Sequence, residues 1–251
     1  MTVFGRDMRD DKMRILSVDL AHTSYQNLGI ILLEETRGGF IAQSICAEEL
    51  SLVGPPLPQV LAKSLLEACK RFSSRILILD GPQAWKCPDN GLVHSRVCER
   101  LLNTPGKTGL PGTAKPANYL PFIAFSITVF QELMALGFQL WSGDMASLLA
   151  IESFPLSAWR QLGLRPLPAK SKATMGHLQQ AAGDLSKMFP LKVPVGLSHD
   201  QLQALVASLA GVPLALGRKA GYSVSGMMPS VVGGIWREGF IVNPTKAALI
   251  C

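Results

Sequence analysis

The sequence predicts an α/β fold: a mixed sheet of three antiparallel strands followed by helix-linked parallel strands, with helices on both faces. Three observations lead there. The first apolar runs form three successive strand-like segments, with a glycine turn before the third. The later aliphatic runs alternate with stretches of helical periodicity. Two of the runs, RILSVD and RILILD, close on an acid, Asp19 and Asp80.

Residues 1–13 read as a mobile arm, and residues 14–251 as a single domain with a C-terminal extension. Arg14 to Asp19 is the first strand, Leu28 to Glu34 the second and Phe40 to Cys46 the third. Thr36-Arg37-Gly38-Gly39 forms the hairpin turn, because glycine accepts positive φ. Pro58 to Phe72 is helical, with Val60, Leu61, Leu65, Leu66 and Cys69 on one face. Arg75 to Leu79 is a continuous aliphatic strand of the kind found inside parallel sheets. Arg96 to Leu102 is a short helix, followed by the Gly-, Pro- and Lys-rich loop NTPGKTGLPGTAKP. Pro121 to Leu136 is an apolar helix, interrupted by Gln131 and Glu132 and so no membrane span. Phe138 to Trp141 and Leu148 to Glu152 are strands. Ser157 to Leu162, Lys172 to Lys187 and His199 to Ala210 are helices. The tail from Gly221 is rich in Gly and Ser, with a terminal strand at Gly239 to Val242.

The order β-β-β-α-β-α-β-α is that of the ribonuclease H-like fold; a plain doubly wound sheet would alternate strand and helix from the start. In such a fold the first and fourth strands are central neighbours, so Asp19 and Asp80 meet. Glu152 ends the fifth strand and Asp200 opens the last long helix over the same region. Four converging carboxylates raise one another's pKa unless a cation intervenes. Hard oxygen ligands suit Mg²⁺ or Mn²⁺. Two such ions can stabilise the attacking and leaving oxygens of a phosphodiester. Each acid also has an ordinary reading: Asp80-Gly81-Pro82 is a common turn, and Asp200 suits a helix N-terminus.

Of the 251 residues, 48% are hydrophobic and 17% charged, ample for a core, and the net charge of +6 favours anionic partners, DNA or RNA. Arg96 and Arg100, four apart, are candidates to contact phosphates together; Lys107, Lys170 and Lys172 are further candidates. A solvated basic face is the competing reading for each. GKTG at Gly106 to Gly109 is no P-loop, since Leu101 stands where its first glycine should. The four tryptophans look isolated, with no aromatic–basic stacking platform. Five cysteines without CxxC spacing read as reduced thiols of a cytoplasmic protein. The charged N-terminus lacks the apolar segment of a signal peptide.

The blocks VDLAHTS, LILDGP, SRVCERLL, IESFP, SHDQLQALVASLAG and EGFIVNP, in this order, resemble domain of unknown function family 429. The resemblance spans residues 14–244 and implies a ribonuclease H-like fold with a metal-dependent nuclease site. By position it matches Asp19 to the first-strand acid, Asp80 to the acid before Gly-Pro, Glu152 to the acid before the aromatic-Pro pair, and Asp200 to the helix acid. The chain departs from the family at Gln203, where a second helix acid is usual. The leading expectation is therefore a divalent-metal nuclease. The alternative is a non-catalytic nucleic-acid-binding or assembly protein on the same scaffold. Phosphotransfer of the sugar kinase and actin type ranks last, because that class clamps ATP between two such domains.

Overall fold

The computed structural model describes residues 12–249, so the expected N-terminal arm lies almost wholly outside the described residues. The strands are β1 (Arg14–Asp19), β2 (Gly29–Thr36), β3 (Gly39–Ser44), β4 (Ile76–Asp80), β5 (Lys107–Thr108), β6 (Ala114–Lys115), β7 (Gln139–Leu140), β8 (Leu149–Ser153), β9 (Leu191–Lys192), β10 (Tyr222–Val232) and β11 (Ile235–Pro244). The α-helices are α1 (Pro58–Arg71), α2 (Val97–Leu102), α3 (Leu120–Ala135), α4 (Pro155–Gln161), α5 (Met175–Met188), α6 (His199–Ser208) and α7 (Gly211–Ala215). One sheet runs β10-β11-β8-β4-β1-β2-β3-β9, with β7 beside β8; β5 and β6 form a separate hairpin. The fold is thus α/β with a mixed sheet. β1, β2 and β3 pair antiparallel, while β1, β4 and β8 run parallel.

The central strands are aliphatic because both faces are covered. Side chains alternate across a strand. Ile15, Ile76, Ile78, Leu149 and Ile151 therefore face a core shared with α4, α5 and α6. Leu16, Val18, Leu77, Leu79 and Ala150 face the opposite core, against α1 and α3. On α6, Leu202, Ala204, Leu205 and Val206 are all buried, each leucine contributing roughly 1.5–3 kcal/mol by leaving water. Gly29 permits the close approach of this helix. A Cβ there would collide with the backbone of Asp200.

Two regions depart from expectation. The Gly/Ser-rich tail is a long hairpin rather than one terminal strand: β10 and β11 pair antiparallel, and the register shifts between Met227 and Ser230, at Pro229. A bulge accommodates a proline that a regular ladder excludes. The loop after α2 contains the β5–β6 hairpin. It is fastened by the backbone N–H of Thr108 donating to Glu99 and that of Lys86 donating to the Gly109 carbonyl. No helix among the described residues is long and apolar enough to cross a membrane.

Candidate functional site

Asp19 and Asp80 stand opposite each other at the ends of adjacent parallel strands, as their register pairing gives. Both side chains share the face covered by α6. There the N-terminus of α6, capped by Ser198, places Asp200 above Gly29, the partner of Asp19 on β2. The sequence makes this possible in two places. Gly29 admits the helix. Gly81, at φ +147°, turns the chain sharply after Asp80 in a space that Ser126 would deny any Cβ.

The two strand-end carboxyls keep some contact with solvent but are surrounded by protein. Burial pushes Asp19 well above the usual carboxylate range; the charges of Asp80 and Asp200 and a hydrogen bond with Asp80 push the same way, against Lys170. Burial also raises Asp80, to about 7; the hydrogen bond with Asp19 opposes this and the charge of Glu152 adds to it. Two acids in hydrogen-bonding contact hold one proton between them and titrate as a pair.

Asp200 differs from the pair. Burial raises its carboxyl, but hydrogen bonds from His199 and Lys170 and the Lys170 charge prevail and hold it below the usual range. Lys170, more than half exposed, donates to Asp200 and at 3.2 Å to Asn27 Oδ1. His199 lies with Nδ1 3.2 Å from Asp200 Oδ1 and Nε2 3.0 Å from the Pro168 carbonyl.

Glu152 does not join the pair as a free carboxylate. It does not close β8. It stands opposite Leu79, and Ser153 stands opposite Asp80. A shift of one residue along a strand sends the side chain to the other face. There Arg96 grips both of its oxygens, Nη1 to Oε2 at 2.7 Å and Nη2 to Oε1 at 2.6 Å, and the Gln83 N–H donates to Oε2 at 2.9 Å. Burial raises the Glu152 carboxyl and Arg96 opposes it, in the bidentate geometry of an ion pair. The charges of neighbouring acids link them in the order Asp200–Asp19–Asp80–Glu152, with an ion-paired base at each end; among the described residues neither Asp19 nor Asp80 has an ion pair of its own, although the Lys170 charge reaches Asp19. Among the described residues no three His, Cys, Asp or Glu side chains are placed to hold a metal ion together.

The basic candidates separate. Arg96 is 1% exposed and spent on Glu152 and Glu99, so it cannot reach a phosphate together with the exposed Arg100. The reason is that Arg96 precedes the helix as its N-cap and turns inward, while Arg100 lies on the outer face. Lys107 folds back to the Glu99 carbonyl at 3.0 Å. Lys170 lies in the acid row, and Lys172 is exposed. Gln203 is turned away from a ligand's role: its Oε1 accepts the Trp159 indole N–H at 2.7 Å. The tryptophans are not all isolated either. A bridge pairs Trp85 with Arg237, and the Trp85 N–H donates to the Trp236 carbonyl at 3.2 Å, setting Trp85-Lys86 beside Trp236-Arg237.

Beside Asp80 lies a cleft of about 180 Å³, bounded by Glu152, Arg96, Gly106, Tyr119, Phe122 and Phe154 among others. It sits at the C-terminal ends of β4 and β8, the usual place for ligands on parallel sheets. Sequence reasoning missed it, since its walls come from five separate segments. Compared with protein-family models, curated proteins and solved structures, the chain matches none.

Proposed function

We propose that this chain is a divalent-cation-dependent phosphodiesterase of nucleic acid, built on a ribonuclease H-like sheet. The observation that carries the reading is the Asp19–Asp80 pair, two carboxyls in register at the ends of adjacent parallel strands, neither of which forms an ion pair of its own among the described residues. Like charges so placed are relieved by a cation, and carboxylate oxygens suit Mg²⁺ or Mn²⁺. The order β3-β2-β1-β4-β8 within the sheet and the net charge of +6 support the same reading. The odd, scattered cysteines, read as reduced thiols, support a cytoplasmic location in this proposal.

The residues fit one cation better than the two expected. Asp19 and Asp80 would hold it, and Asp200 is the next oxygen donor, reachable once Lys170 lets go. Glu152 is committed to Arg96. A hard divalent cation bound there supplies Lewis acidity toward a phosphoryl oxygen and acidifies water. The chain's own residues do the rest. Asp19 and Asp80 hold or release the shared proton. Asp200 positions Lys170, whose exposed ammonium can turn to a phosphate. His199 keeps Asp200 ionised.

The test is Asp19→Asn, which keeps shape and removes charge. Cleavage of mixed single- and double-stranded substrates with Mg²⁺ or Mn²⁺ should fall by at least two orders of magnitude. Oligonucleotide binding without metal should persist. Undiminished cleavage by the variant would assign the activity elsewhere. One observation favours a second reading, a non-catalytic nucleic-acid-binding protein: the third strand acid is neutralised by a buried arginine. No cleavage in wild type, with binding intact, would select it.

A further inference from the structure

We propose that the cleft beside Asp80 receives one unstacked nucleobase, so that the substrate is a single-stranded nucleic acid. This deepens the phosphodiesterase reading and rests on it. Two sets of observations carry it.

The first is the lining. Tyr119, Phe122 and Phe154 supply aromatic walls, Ile123 and Ile241 aliphatic ones, and Asp80 stands at the edge. At about 180 Å³ the space is smaller than the roughly 300–1,000 Å³ of drug-sized pockets, enough for a ring system and not for a dinucleotide. Base–aromatic stacking is the sequence-tolerant way to hold such a ring.

The second is the hydrogen-bonding state of the polar floor. Arg96 is spent on Glu99 and Glu152. Glu99 accepts from Arg96 and from both the N–H and the hydroxyl of Thr108. Thr104 donates to the Gly106 carbonyl at 2.7 Å. Only the Tyr119 hydroxyl makes no hydrogen bond among the described residues that line the cleft through their side-chain polar groups on this floor and wall. A sugar, with hydroxyls around its whole ring, would leave several unpaired on entry, whereas a base can lay its apolar faces on the aromatic walls and keep its polar edge toward the open mouth. The elements around the cleft also carry exposed Arg100, on α2, and Lys115, on β6, suited to the phosphates flanking an inserted base.

The experiment measures binding by fluorescence anisotropy in chelator-containing buffer, where no cleavage occurs. The probes are a single-stranded oligothymidylate, an abasic strand of equal length, the corresponding duplex and free thymidine monophosphate as competitor. The base-bearing strand should bind at least about fivefold more tightly than the abasic one, the lower range for a stacked base. It should also bind more tightly than the duplex, and the free nucleotide should compete weakly. Tyr119→Leu should erase most of this preference while leaving abasic binding unchanged. So should Gly106→Ala, whose new Cβ would fall 2.6 Å from the Tyr119 ring and displace it. Equal affinity for base-bearing and abasic strands, a preference that survives both variants, or equal binding of duplex would overturn the pocket. Strong competition by the mononucleotide would overturn the assignment to a polymer. Asp19→Asn should keep the preference, so a failure of hydrolysis and a failure of the pocket are read separately.

Discussion

Replacing Asp80 with Asn should stabilise this protein at neutral pH and flatten its pH dependence. The Asp80 carboxyl is raised from the ordinary 3.8 to about 7, first by burial. The folded chain therefore holds a proton that the unfolded chain releases, and stability falls as pH rises from about 4 to about 7. Below that window the cost is absent; above it the cost is complete. An elevation to about 7 corresponds to ~4 kcal/mol, at ~1.36 kcal/mol for each tenfold change in proton affinity. Because the carboxyl keeps solvent contact, screening reduces this to ~2 kcal/mol. Asn keeps a hydrogen-bonding group beside Asp19 and removes the charge that raises it. At pH 8 the variant's Tm should exceed wild type by about 4–8 °C, at about 2–4 °C per kcal/mol for a chain of this size. The assay is thermal and urea unfolding at unit steps from pH 4 to 8. Mn²⁺ at about a hundred times its Kd should add ~2.7 kcal/mol to wild type and much less to the variant. A variant less stable than wild type at pH 8, or one with the wild-type pH slope, would refute the shared-proton account.

Two further predictions concern the frame of the site. Gly29→Ala places a Cβ against the Asp200 backbone, so α6 must shift outward. We expect about 1–3 kcal/mol of destabilisation in urea, with Mn²⁺ affinity by calorimetry reduced as Asp200 leaves Asp19. Glu152→Gln leaves buried Arg96 with Glu99 as its remaining carboxylate and should cost about 3–5 kcal/mol in urea. The double change Arg96→Met with Glu152→Leu should recover part of that loss, and no recovery would count against the pair as the cause.

The sequence makes the mixed sheet legible because its central strands are buried on both faces and read as unbroken aliphatic runs. Asp19 and Asp80 follow from the same signal, since each interrupts such a run at its end. Glu152 shows where the signal stops. Whether a strand acid stands at the last position or one before it decides which face it occupies, and composition cannot register strands to that accuracy. Arg96 is equally silent in sequence. Its i, i+4 spacing with Arg100 suggests a common helix face, but the N-cap position turns it inward. The β10 strand is hidden by Pro229, which reads as a breaker until the register shift between Met227 and Ser230 accommodates it. The cleft beside Asp80 is a product of tertiary packing, assembled from the ends of α2, β4 and β8 and the start of α3.

The charges along the acid row decide the direction from which a cation can be completed. At one end the Arg96–Glu152 pair is buried, bidentate and tied to Glu99, so freeing Glu152 would strand a guanidinium in the core. At the other end Lys170 holds Asp200 from a side chain that is 55% exposed, and water can take up its ammonium at little cost. In the proposed cation site a third ligand beside Asp19 and Asp80 would therefore come from Asp200, which would free the Lys170 ammonium for a phosphate. The Glu152 end remains fixed and supports the wall of the cleft. The proposed cation site and the proposed base cleft would thus lie on opposite sides of Asp80, which borders both.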